Sequence, residues 1–185
     1  FIGMPSGGRI CDDTMTSTYA AMDLVKQKGH DCGLMILTGG YVAHNRNALV
    51  RAAREKQATH LMFIDADHLF AASSIIRLLD HDKDIVAANY NTRGNLGPNG
   101  ELLNVLKPFD DKGKMVTDGS VANFVMPQDL FKVAGIGTGM MLIKLSVFDK
   151  LEPAPWFVAW EDEFGNHHTE DIEFCIKARE AGFDI

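Results

Sequence analysis

Two aspartates, Asp65 and Asp67, follow directly on the apolar run Leu61-Met62-Phe63-Ile64. Four consecutive apolar residues are what a strand buried on both faces shows. In extended backbone the side chains at i and i+2 point the same way, so the two carboxylates share one side. Left alone, two such charges repel and each resists ionisation. A divalent cation removes that penalty, and carboxylate oxygens are the hard ligands that Mg2+ or Mn2+ prefers. In open α/β sheets ligands bind beyond the carboxyl ends of the strands, where these aspartates fall. The competing use of the same residues is a polar turn in which Asp67 caps the next helix.

Other residues with chemical capacity are spread along the chain. Gly165-Asn166-His167-His168-Thr169-Glu170-Asp171 opens a helix whose Ile172, Cys175, Ile176 and Arg179 recur at helical spacing and which Gly182 ends. Acidic residues in a first turn favour the helix dipole, which is reason enough for Glu170 and Asp171 to be there. His167 and His168 read as loop residues, although neutral imidazole is a capable metal ligand. Arg46 falls in the first turn of a helix predicted over 45–57, a poor place for a cation. It either meets an anionic ligand or is simply solvated. Trp156 and Trp160 have the shape to stack on the apolar face of a sugar, while burial as anchors is the commoner use of tryptophan. Pro5-Ser6-Gly7-Gly8 reads as a turn whose small residues let a ligand approach the backbone. It is not a P-loop, because no Gly-Lys-Ser/Thr follows. Gly137-Thr138-Gly139 is not the dinucleotide fingerprint, since Met140 holds the last glycine position and a strand follows where a helix should open.

The elements that must carry these residues alternate. Strands are predicted at 1–4, 34–38, 59–64, 84–88 and 135–143, and helices at 14–28, 45–57, 73–79 and 146–151. In the first helix Met15, Tyr19, Met22 and Val25 line one face; in the second Leu49, Ala52 and Ala53 point inward. That order argues for an α/β fold with a mostly parallel central sheet and right-handed crossovers. Over 93–132 Gly, Pro, Asn, Asp and Lys dominate, and the pattern predicts an irregular insert with short apolar pieces at 102–106 and 121–126.

The 185 residues suit one domain with a sizeable core. A net charge of −7, from 18 basic and 25 acidic residues with no basic run, speaks against nucleic acid as a partner. Three dispersed cysteines have neither zinc-finger spacing nor a disulfide framework, which fits a reducing, cytoplasmic compartment. No signal peptide or apolar stretch of spanning length is evident. The chain begins without Met inside a predicted strand and ends where another is due, so residues are expected to be missing at both ends.

Taken together, the chain resembles a glycosyltransferase of the GT-A fold, in the broad family-2-like group of bacteria and their phages. The resemblance rests on four marks in order: Pro5-Ser6-Gly7 after the first strand, the apolar run into Asp65-Ala66-Asp67, the Gly137-Thr138-Gly139 strand, and Thr169-Glu170-Asp171 opening a helix that closes with Ala181-Gly182-Phe183. It implies a nucleoside-diphosphate sugar donor, UDP- or GDP-linked, and a glycan or other hydroxyl acceptor. Pro5, Ser6, Gly7, Arg46, Asp65, Ala66 and Asp67 would bind the donor, Asp65 and Asp67 through Mn2+ or Mg2+. Gly137, Thr138, Gly139 and Trp156 would border sugar and acceptor, the missing bulk of the glycines leaving room. Asp171 matches the family's general base, with Glu170 beside it, and the implied outcome is inversion. The family's metal-binding histidine follows the last strand, where this chain has stopped. Either that ligand is absent from this sequence, or His68, His167 or His168 substitutes, His168 being the expected third ligand of the three.

Three rivals stand beside this expectation. A HAD-like phosphatase also carries an apolar strand running into Asp-x-Asp, with Asp65 as nucleophile and Asp67 as acid/base. Its motif would here follow two strand-helix units, and Leu69 replaces the usual Thr or Val. The second rival is a non-catalytic sugar-nucleotide or glycan-binding module. The third, a phage enzyme decorating modified DNA bases, fits the acidic charge poorly.

Overall fold

Apolar runs without polar alternation form the two innermost strands of the computed structural model, which describes residues 1–96, 102–110, 112–116, 127 and 129–185. In chain order the elements are β1 (Ile2–Ser6), α1 (Asp12–Gln27), β2 (Leu34–Thr38), α2 (Val42–Glu55), β3 (His60–Ile64), α3 (Ser74–Asp80) and β4 (Ile85–Ala87). Then come β5 (Asn91–Leu96), β6 (Leu102–Asn104), β7 (Met140–Lys144), α4 (Leu145–Lys150), β8 (Trp160–Glu161), β9 (His167–His168) and α5 (Glu170–Glu180). The central sheet has the order β2-β1-β3-β7-β4. β1 is buried along its length and β3 from Leu61 onward, as strands covered by helices on both faces must be.

The sheet is mixed rather than mostly parallel. β1 pairs parallel with β2 and β3, but β7 runs antiparallel to both of its neighbours, β3 and β4. The cause is the connection. Among the described residues no helix lies between β4 and β7; Ala88 donates to the Met140 carbonyl at 2.9 Å, so β7 enters the sheet at the edge where β4 leaves it. The intervening stretch includes the β5–β6 antiparallel pair; the apolar piece at 121–126 lies outside the described residues.

Period-two alternation divides the core into two layers. Leu61 and Phe63 of β3, with Met141 and Ile143 of β7, pack against Leu49, Val50 and Ala53 of α2, Phe148 of α4 and Phe174 of α5. Met62 and Ile64, with Met140 and Leu142, pack on the other side against Ala21 and Val25 of α1 and Ile75 and Leu78 of α3. Asp65 is next in the Leu61–Phe63 series and so faces the α2 and α5 side.

One predicted helix face and one predicted helix start need correction. In α1 the buried residues are Thr14, Ser17, Thr18, Ala21 and Val25, whereas Tyr19 is exposed. The polar stripe is tolerated because Thr18 Oγ1 donates to the Thr14 carbonyl at 2.7 Å, and small side chains let the helix sit close. In α2 the helix starts at Val42, so Arg46 lies beyond its first turn and is buried together with Asn47. Among the described residues no helix is long and apolar enough to cross a membrane.

Candidate active site

The turn after β3 is fixed before any ligand is considered. The Asp65 amide donates to the Gly139 carbonyl at 2.9 Å, extending the β3–β7 ladder by one residue, and the Cys11 amide donates to the Ala66 carbonyl at 2.8 Å. The second bond ties the β1–α1 loop to the aspartate turn. In that loop β1 runs two residues further than the sequence predicts. Pro5 and Ser6 are therefore buried strand residues, and Gly7 is the exposed one of the predicted trio. Ser6 Oγ donates to the Arg9 carbonyl at 2.9 Å and accepts from the Gly8 amide at 3.1 Å, so its hydroxyl shapes the turn.

Asp65, Asp67 and His68 form a group whose ligand atoms all lie within 4.8 Å of one another. Atoms bound about 2.1 Å from one ion are separated by roughly 3–4.2 Å, so small side-chain rotations close the set. His68 fits a cation on independent grounds. Both of its ring nitrogens are buried without a hydrogen bond, Nδ1 standing 3.5 Å from Asp67 Oδ1. Burial lowers the pKa of His68 against the opposing pull of Asp65. A neutral imidazole with unmet polar atoms beside two carboxylates is a donor set suited to a divalent ion.

His168, the expected third ligand, is committed elsewhere. Its Nδ1 lies 3.1 Å from Glu173 Oε1, its Nε2 lies 3.7 Å from Asp162 Oδ2, and its ring stacks on Trp160. Sequence favours it because it neighbours the acidic pair; the fold favours His68 because the turn after β3 brings that imidazole back onto the aspartates.

Arg46 is neither solvated nor left to greet a ligand alone. It is 3% exposed, its Nη2 donates to Asp65 Oδ1 at 3.0 Å, and its Nη1 pairs with Glu170 Oε1. The guanidinium fork thus joins the end of β3 to the start of α5. Glu170 is itself buried and is the counter-ion of Arg46. Asp171, the next residue, is half-buried, and its Oδ1 accepts from the Ile172 amide at 2.8 Å.

Tyr90, which the sequence reading passes over, completes the arrangement. Its ring meets His68 edge-on, with centroids 4.3 Å apart and planes at 87°. Its hydroxyl accepts from the Gly139 amide at 2.9 Å. Burial first, then the charges of Asp65 and Asp171, push the phenol well above its ordinary pKa, so it stays protonated. The available signal was its position: an aromatic three residues beyond β4, at the edge where the aspartates sit.

Tyr90 also explains the glycines. A Cβ at Gly139 would stand 2.5 Å from Tyr90 Oη, 2.7 Å from His68 Cε1 and 2.8 Å from Asp65 Oδ2; one at Gly137 would collide with the same hydroxyl. The missing bulk makes room for the protein's own groups rather than for a sugar. Thr138 is fully buried and does not face an open pocket. Trp156 is 3% exposed, donates from Nε1 to the Phe148 carbonyl at 3.2 Å and is a core anchor; the exposed tryptophan is Trp160.

A groove of about 640 Å³ runs along β4 and contains none of Asp65, Asp67, His68 or Asp171. Chemistry, not volume, therefore locates the candidate site at the carboxyl end of β3.

No family model matches the chain, and no curated protein matches it in sequence. Among solved structures, the crystal structure of A197 from STIV is similar, with a TM-score of 0.59 and 19% identity over 96% of this chain and 76% of that one. The likeness is one of fold: an α/β domain with a mixed central sheet flanked by helices.

Proposed function

We propose that the protein is a metal-dependent glycosyltransferase of the GT-A type, moving a sugar from a UDP- or GDP-linked donor to an acceptor hydroxyl. The observation that carries this reading is the Arg46 fork, which sets the Asp65–Asp67–His68 group against the first turn of α5, where Asp171 lies. Asp65, Asp67 and His68 would hold Mn2+ or Mg2+, which when bound supplies Lewis-acid stabilisation of the charge that builds on a departing diphosphate.

Asp171 takes the proton of the acceptor hydroxyl, a step worth typically ~10²–10⁴-fold. The acceptor oxygen forms its bond to the anomeric carbon as the bond to the diphosphate oxygen breaks, and that electron pair leaves with the nucleoside diphosphate. The anomeric carbon passes through an oxocarbenium-like state, as in glycoside hydrolysis. A base on the face opposite the leaving group gives inversion. The exposed backbone at Gly7 and Gly8 is the surface open to the nucleoside. Tyr90, kept protonated, has a hydroxyl proton to offer near Asp65.

The phosphatase alternative needs Asp65 as a free nucleophile, and the bond from Arg46 to Asp65 Oδ1 favours a holding role instead. Thermal shifts with UDP-, GDP-, CMP- and dTDP-sugars, with and without Mn2+, test the proposal, since a bound ligand raises apparent stability by mass action. A Mn2+-dependent rise with one sugar nucleotide is expected; no response to any of them contradicts it. Asp171→Asn distinguishes an enzyme from a binding module, because it should abolish transfer while the shift survives.

A further inference from the structure

Building on the transferase reading, we propose that the acceptor is a carbohydrate and that Trp160, seated on His168, is the platform on which one of its pyranose rings stacks. β8 and β9 pair Trp160 with His168 and Glu161 with His167. Alternation puts Trp160 and His168 on one face of this hairpin and Glu161 and His167 on the other. The indole and imidazole lie 4.0 Å apart at an interplanar angle of 9°.

The imidazole beneath has Glu173 Oε1 at 3.1 Å from Nδ1 and Asp162 Oδ2 at 3.7 Å from Nε2. Asp162 in turn accepts from the Phe164 and Asn166 amides at 2.9 and 2.8 Å, and from Asn166 Nδ2 at 2.8 Å. The chain therefore builds a support under one face of the indole and leaves Trp160 46% exposed. A tryptophan used only for packing is buried as Trp156 is.

A flat, presented indole beside carboxylates matches a sugar ring. The axial C–H face is apolar and stacks on the aromatic surface. Position links the platform to the reaction: Asp171 comes three positions after His168, at most roughly 10 Å of extended chain, about the span of a disaccharide. A membrane is the poorer occupant. Phe164 at the hairpin tip is also exposed, but the residues between the two aromatics are Glu161, Asp162 and Glu163, and acidic side chains are repelled by anionic headgroups.

The test uses the full chain on an array of neutral and acidic oligosaccharides, followed by fluorescence titration of the bound ones. Wild type should retain one structural class of glycan. Trp160→Ala should weaken that binding roughly tenfold or more while melting near wild type, and Trp160→Phe should keep most of it. No glycan retained, equal binding by Trp160→Ala, or Trp160-dependent binding to phosphatidylglycerol vesicles instead would each overturn the platform. The sugar-nucleotide thermal shift on the same preparations separates the two claims. Glycan binding through Trp160 with no nucleotide response keeps the platform and removes the transferase; a nucleotide response without glycan binding does the reverse.

Discussion

Arg46 shows how one residue converts two remote carboxylates into a geometry. A guanidinium buried to 3% exposure is tolerable because a carboxylate meets each of its two Nη groups. Arg46→Met should destabilise the fold by about 3–5 kcal/mol, because it strands Glu170 as a buried charge; denaturant titration measures this. Arg46→Lys should recover little, since an ammonium cannot address both acids through a planar fork. The doublet Asp65 and Asp67 was legible in the sequence because strand end and spacing are local properties. Arg46 was not, because its meaning depends on partners 19 residues away at Asp65 and further still at Glu170. The same holds for His68 over His168: sequence distance to the acidic helix start misleads when a tight turn folds the nearer imidazole back.

At the scale of elements, the insertion of β7 between β3 and β4 makes the site. It brings Gly137 and Gly139 under Tyr90, which follows β4, and it sets the Gly139 carbonyl to receive the Asp65 amide. Alternating strands and helices were readable from periodicity, and with them the α/β class. The direction of β7 was not, because an irregular connection carries no signature of where it returns. Gly137→Ala should destabilise by about 1–3 kcal/mol through overpacking against the Tyr90 hydroxyl. Tyr90→Phe, which removes the nearest atom, should restore much of that loss. Additive effects in the double-mutant cycle, followed by urea unfolding, would contradict the contact.

For the whole molecule, two partly buried histidines set an acid limit. His60 and His68 both have pKa values lowered from 6.5, chiefly by burial, so below that pH the unfolded chain binds more protons than the folded one. Their contribution to stability is complete above pH 6.5 and declines as pH falls through the window below it. His68→Gln should flatten part of this slope in melting curves, and Mn2+ binding by the wild type should fail over the same window as the imidazole takes up a proton. The central claim, that a cation held at Asp65, Asp67 and His68 serves a base at Asp171, is tested most directly by nucleoside diphosphate release from UDP- and GDP-sugars with Mn2+. Release that requires the metal and falls at least ~100-fold in Asp171→Asn is the predicted result. Metal-dependent hydrolysis of a generic phosphomonoester that survives Asp171→Asn and is lost in Asp65→Asn, with the sugar nucleotides left intact, would contradict it.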